Sequence, residues 1–211
     1  MWSWVSSNAA ALSAVASFMT LLVWMFYAQL LFMGFRRQRR ARVLINQGIG
    51  NALDSGCLVT NMSHEPVYIQ CLLITLHEPD DSHTCSITDL DRSHAHTDNA
   101  CEERLTRQGP LLAGHFMFIG SFESLISQAA KENGLIHEDH STLDALGICG
   151  FDITAIVNYG PDGNSIGFKR SFRIEATDNQ STGIRPETVG TTRLAGRRSS
   201  KRMAYWLRRM T

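Results

Sequence analysis

Charge is missing from one long stretch of the chain: no residue from Ala9 to Phe35 carries any. A helix needs about 20 residues to cross about 30 Å of hydrocarbon, so this run is long enough to span a bilayer. Acids are missing from both ends, since none precedes Asp54 and none follows Glu187. That excludes an evenly mixed surface and segregates the two signs. Cysteine is sparse and odd in number, at 57, 71, 85, 101 and 149, with no spacing that resembles a disulfide framework. Reduced thiols in a cytoplasmic domain are the economical reading. Also absent are a Walker A loop, a His-Glu-x-x-His helix and a Gly-x-Ser-x-Gly elbow. Gln47-Gly48-Ile49-Gly50 begins like a dinucleotide loop, but Leu53 stands where the third glycine belongs. No catalytic motif is present, and no cofactor is expected.

What the apolar run does have is a sharply marked end. It passes directly into Arg36, Arg37, Arg39, Arg40 and Arg42, while residues 1–8 carry no charge. Cationic flanks stay on the cytoplasmic side, which places the N-terminus outside and the larger domain inside. A cleaved signal peptide has the reverse order, with charges before a shorter apolar region. Gln29 is the one strongly polar residue inside the run, while Ser13, Ser17 and Thr20 can bond back to the helix backbone.

The chain holds equal numbers of basic and acidic residues, 20 of each. Five arginines follow the apolar run and seven basic residues, Arg193, Arg197, Arg198, Lys201, Arg202, Arg208 and Arg209, close the chain. The remaining eight basic residues face all 20 acids, so the body between carries −12. Basic flanks suit anionic lipid, at about 1 kcal/mol per well-placed cation. The acidic body repels phosphate backbones, so no nucleic acid partner is expected.

Between Val43 and Asp178 the periodicities are mostly those of strands. Gly56–Met62 is a short apolar strand, and Val67–Leu76 runs almost continuously apolar, as a strand covered on both faces does. Phe151, Ile153, Ala155, Val157 and Tyr159 alternate with polar residues, and the alternation resumes through Ile166, Phe168, Phe172 and Ile174, predicting a hairpin. Arg170 interrupts that face and is expected at an edge or rim. Phe122, Leu125, Ile126, Ala129 and Ala130 share one helical face, with Ser121 placed to cap the start and Gly134 to stop the end. Glu78–Gln108 reads as a long polar loop. The pattern from Leu58 to Ile69 resembles the early strands of many immunoglobulin-like sandwiches, a likeness of architecture and not of family.

The organisation expected is mainly β. A short extracytoplasmic segment (1–8) leads to a transmembrane helix (9–35) and a basic juxtamembrane segment (36–42). An immunoglobulin-like antiparallel β-sandwich with one inserted helix occupies 43–178. A polar tether and a C-terminal basic amphipathic helix occupy 179–211.

Two features point to association. Ala9, Ser13, Ser17, Thr20, Trp24 and Tyr27 fall on one stripe of the membrane helix, where small residues let a second helix approach. At the C-terminus Met203, Trp206, Leu207 and Met210 share a face opposite Lys201, Arg202, Tyr205, Arg208 and Arg209, the pattern of a helix lying in a bilayer interface. Arg36, Arg37, Arg39, Arg40, Arg42, Lys201, Arg202, Trp206, Arg208 and Arg209 are therefore the expected membrane-surface contacts.

His83, Cys85, His94, His96 and Cys101 crowd one polar segment and are candidate zinc or copper ligands, although no closed structural zinc spacing is met. His137-Glu138-Asp139-His140 is a second cluster with acid–base potential. Asn61-Met62-Ser63 and Asn179-Gln180-Ser181 match a glycosylation sequon, which has no meaning in a cytoplasmic domain. The function expected is that of a non-enzymatic single-pass membrane protein whose β-sandwich binds another protein, or a second copy, as an accessory subunit or scaffold. A metal- or pH-responsive sensor using residues 83–101, and an enzyme with a site near His137–His140, are the alternatives.

Overall fold

The computed structural model of the chain describes residues 8–38, 40–50, 52–88, 106–135, 147–160, 165–176, 182–194 and 196–210. It falls into two compact units, residues 1–40 and 41–211. The first is helix α1 (Ala9–Gln38), apolar on every side. Its stretch Ala9–Gly34 is long and apolar enough to cross a membrane, and none of it is buried within the unit. Thr20 Oγ1 donates to the Ala16 carbonyl at 2.8 Å, as its spacing predicts, so this hydroxyl needs no partner outside the helix.

The second unit is mainly β, built from two antiparallel sheets. A three-stranded sheet has the order β1 (Val43–Gln47), β2 (Gly56–Asn61), β6 (Phe116–Ser121). A seven-stranded sheet has the path β10 (Thr192–Leu194), β8 (Ser165–Ala176), β7 (Gly150–Tyr159), β3 (Val67–His77), β4 (Ser82–Ser86). Strand β5 (Gly109–Leu111) pairs with β3, and β9 (Thr182–Pro186) with β8. The expected hairpin is β7–β8, paired antiparallel from Gly150↔Arg173 to Asn158↔Ser165.

Strand β3 is apolar on both faces, as its sequence predicts, and a bulge sets which residue goes where. The register with β7 shifts between Ile69 and Cys71, so the side-chain alternation slips by one. Val67 and Ile69 before the slip, and Leu72, Ile74 and Leu76 after it, all enter the main core. Cys71 and Leu73 are left on the opposite, outer face.

The main core joins both sheets to helix α2 (Phe122–Glu132). Ser121 caps the helix, its hydroxyl accepting from Ser124 N–H at 3.2 Å, and Gly134 supplies the left-handed turn beyond its end at φ 71°. The five predicted residues Phe122, Leu125, Ile126, Ala129 and Ala130 form its buried face. Phe122 meets Phe151 and Phe172 with ring centroids 5.5 and 4.9 Å apart, and the last two stack at 5.1 Å. Asn61 is fully buried, with its amide nitrogen donating to the Glu65 and Leu111 carbonyls and its oxygen accepting from Ser63 N–H. It ties a turn together and offers nothing to a glycosyl transferase.

Three local expectations differ from the structure. Arg170 is buried, not at an edge or rim: its Nη1 donates to the Ile45 carbonyl and to Asn46 Oδ1, bridging the large sheet to β1. The apolar pattern could not show that a β1 carbonyl would be there to receive it. Within the predicted loop 78–108, Ser82–Ser86 forms β4, whose Thr84 Oγ1 lies 2.9 Å from Thr75 Oγ1 across the ladder. Within the predicted tether, β9 and β10 both add to β8, because that strand leaves backbone groups open beyond its pairing with β7.

Helix α3 (Arg197–Met210) covers the outer face of the large sheet. Met203 is buried against Cys71, Leu73 and Ile156, with Trp206 and Leu207 beside it. Gly167 makes this approach possible, because a Cβ there would lie 2.7 Å from the Met203 sulfur and 3.0 Å from Leu194 Cδ1. Two outcomes follow. Phe172→Ala removes the centre of the aromatic cluster and should cost about 3–5 kcal/mol in equilibrium denaturation of the full chain. Gly167→Val should cost about 1–3 kcal/mol and shift Trp206 emission to the red, in a chain whose Trp2, Trp4 and Trp24 are replaced by Phe, as α3 is pushed off the sheet. Unchanged emission would show that α3 does not need this glycine.

Candidate functional site

The outer face of the large sheet carries one buried charge. Asp152 on β7 lies opposite Thr75 of β3, and the register puts His77 and Lys169 at its diagonals. Its side chain is 6% exposed, while one carboxylate oxygen, Oδ2, accepts from Lys169 Nζ at 2.6 Å and sits 2.7 Å from His77 Nε2. Burial alone would push the Asp152 carboxyl up, but hydrogen bonds from Lys169, Ser171 and His77, with the Lys169 charge, hold it below the usual carboxylate range. The group is therefore an ionised anchor at neutral pH. His77 and Lys169 are its two partners at this oxygen, so the arrangement is a carboxylate held between two nitrogen groups.

Helix α3 turns this face into a cleft of about 610 Å³, with His77, Asp152 and Lys169 at its polar end. Leu73, Ile156 and Leu194 form its apolar floor, and Arg202, Tyr205 and Trp206 its helical wall. Tyr205 and Trp206 meet edge to face with centroids 5.8 Å apart, and Arg209 lies over the Trp206 ring at 5.6 Å.

A second surface lies on the three-stranded sheet. Phe116 and Phe118 of β6 are 65% and 60% exposed, opposite Thr60 and Leu58 on β2. Gly56 leaves space for the Phe118 ring, since a Cβ there would sit 2.5 Å from Phe118 Cε2. Among the described residues strand β6 ends its sheet, so this apolar pair stands at the sheet's edge.

The residues singled out from sequence scatter across these features. Of the helix stripe, Ser13, Ser17, Thr20, Trp24 and Tyr27 are exposed on α1, as is Ala9. Arg36 and Arg37 lie within the α1 helix, and Arg39 is outside the described residues. Arg40, Arg42, Lys201, Arg202, Arg208 and Arg209 are exposed. Trp206 is not presented outward with them: it is half-buried on the sheet, because Cys71, Leu73 and Ile156 form an apolar face that needs covering.

His83 lies 3.7 Å from Glu78 Oε1 and 3.6 Å from Asp81 Oδ2. Cys85 is buried, and burial, with Glu132 beside it, pushes its thiol up to about 12. His94, His96, Cys101 and the segment 137–140 lie outside the described residues; among the described ones no three metal-ligating side chains gather. The Asp152 centre was not found from sequence. The alternation put Asp152 and Lys169 on the polar side of their strands, but nothing local indicated that His77 would be their neighbour.

Comparison with protein-family models, with curated proteins and with solved structures finds no match. The site thus stands on its own geometry.

Its charge linkage has a defined sign. Because folding lowers the Asp152 pKa, the charge contributes stability above the ordinary carboxylate value of about 3.9, and that contribution is lost as pH falls through the depressed value. Asp152→Asn should therefore cost about 1–3 kcal/mol at pH 7. The difference from wild type should shrink only below about pH 4, read from denaturation midpoints across pH.

Proposed function

We propose that this chain is a non-enzymatic, single-pass membrane protein whose β domain binds another protein as an accessory subunit or scaffold. In this reading α1 spans the bilayer with the N-terminus outside, oriented by the arginines that follow it. The domain lies in the cytoplasm, and its two antiparallel sheets around one core form a sandwich of immunoglobulin-like type. The Ser13–Thr20 side of α1 offers a second, weaker contact to a neighbouring helix. The exposed cations of α3, with its apolar side on the sheet, meet anionic lipid electrostatically.

The observation that carries the reading is the edge of the small sheet, where Phe116 and Phe118 stand in solvent. A contiguous exposed apolar surface is one mark of a protein-contact site. Among the described residues β6 is the last strand of its sheet, an edge to which a partner strand can add.

The test is cross-linking of the tagged full chain in native membranes, followed by quantitative mass spectrometry. One membrane protein, or a second copy of this chain, should be recovered in near-stoichiometric yield with cross-links near β6. Phe116→Ser with Phe118→Ser should reduce that yield about tenfold, equivalent to about 1.4 kcal/mol, while far-UV circular dichroism shows the domain still folded. Recovery of the chain alone, or unchanged yield from the double variant, would contradict the proposal.

A further inference from the structure

The cleft under α3 has features that neither its packing role nor the interaction proposal uses. Its volume, about 610 Å³, falls within the range of about 300–1,000 Å³ typical of small-molecule sites. Its two ends differ in chemistry. One end holds Asp152, nine-tenths buried and bonded to Lys169 and His77. The other is floored by Leu73 and Ile156 and walled by the Trp206 ring.

The charge count of the lining decides the ligand class. Asp152 is the sole acid among the described residues lining the cleft, and Lys169 already neutralises it. Arg202, exposed on the helical wall, is a second cation of the lining, and among the described residues it forms no ion pair. A cationic ligand would compete with Lys169 for a carboxylate whose one oxygen already takes two partners. An anionic head meets Arg202 and the Lys169 N–H donors that the single contact to Asp152 leaves over, while an apolar body lies between Trp206 and the sheet floor. We propose that the cleft between α3 and the outer face of the seven-stranded sheet binds a small amphipathic anion, a carboxylate on an apolar body.

The site is independent of the edge at Phe116 and Phe118, so it stands or falls separately from the partner reading. It makes Lys169 and Arg202 the head-binding residues and Trp206 the body-binding one. His77 and Asp152 then act as positioning groups that hold the Lys169 ammonium in place.

The test uses the full chain in phosphatidylcholine nanodiscs, titrated by calorimetry against empty discs. The probes are 2-naphthoate, a water-soluble aromatic acid; dodecanoate, an acyl chain of the kind a membrane supplies; and neutral 2-naphthamide. The proposal expects saturable binding of at least one anion, about tenfold tighter than the amide, since only the anion pairs its charge with the two cations. Preference for naphthoate identifies a soluble metabolite as the source of the ligand, and preference for dodecanoate identifies the membrane. Arg202→Gln, at an exposed position of α3, should weaken the anion about tenfold and leave the amide unchanged. Lys169→Arg, which keeps the cation, should retain binding. Saturable binding of neither anion, equal affinity for the amide, or an Arg202→Gln chain that binds like wild type would overturn the proposal. So would an acidic peptide such as tetraglutamate binding where both small anions fail.

Discussion

Strands β3 and β7 are buried on both faces over much of their length, and the other elements of the domain answer that constraint. A sheet of this kind is stable only between two covers. On one side the cover is composite: the three-stranded sheet, α2 and the Phe122–Phe151–Phe172 cluster close the main core. On the other side it is α3, seated on Cys71, Leu73 and Ile156 through Met203. The bulge after Ile69 distributes β3 between the two, sending Leu72, Ile74 and Leu76 inward and leaving Cys71 and Leu73 outward. A slip of one residue at that bulge would exchange these sets and strand α3 without a seat.

The buried cations follow from the same layering. Arg170 reaches from the large sheet to the Ile45 carbonyl on β1, with its guanidinium over Phe172 at 5.6 Å. Burial lowers its pKa, the direction expected where charge is removed from water. Arg107 bonds the Ile87 carbonyl and Gln128 Oε1, joining the chain after residue 105 to the segment that precedes residue 89. Both arginines answer backbone and amide oxygens, which places them as struts of the fold.

Much of this was legible in the chain itself, and what was not has a common cause. The length and apolarity of α1, the hairpin β7–β8, the two-faced β3 and the capped helix α2 are local patterns, readable from period, cap and turn residues. Strands β4, β9 and β10 are short and polar, and exist because a neighbouring strand offers open backbone groups. The amphipathic pattern of α3 was equally plain, but a basic helix with Trp at its apolar edge suits a bilayer and a sheet alike. Its seat is specified by Gly167 and Leu73, far away in sequence. The Asp152 centre escaped for the same reason: His77 joins it across a β3–β7 pairing that no local periodicity encodes.

The central claim is that α3 closes the outer face of the sheet, and Cys71 reports on it directly. Cys71 is buried in the cluster with Met203, while Cys149 is exposed. The measurement is thiol alkylation of the native full chain in nanodiscs, with and without anionic lipid, read peptide by peptide by mass spectrometry. The account predicts that Cys149 is labelled rapidly and that Cys71 stays protected in both lipids until the domain unfolds. Labelling of Cys71 at a rate close to that of Cys149 in either lipid would contradict it, showing that the helix leaves the sheet open.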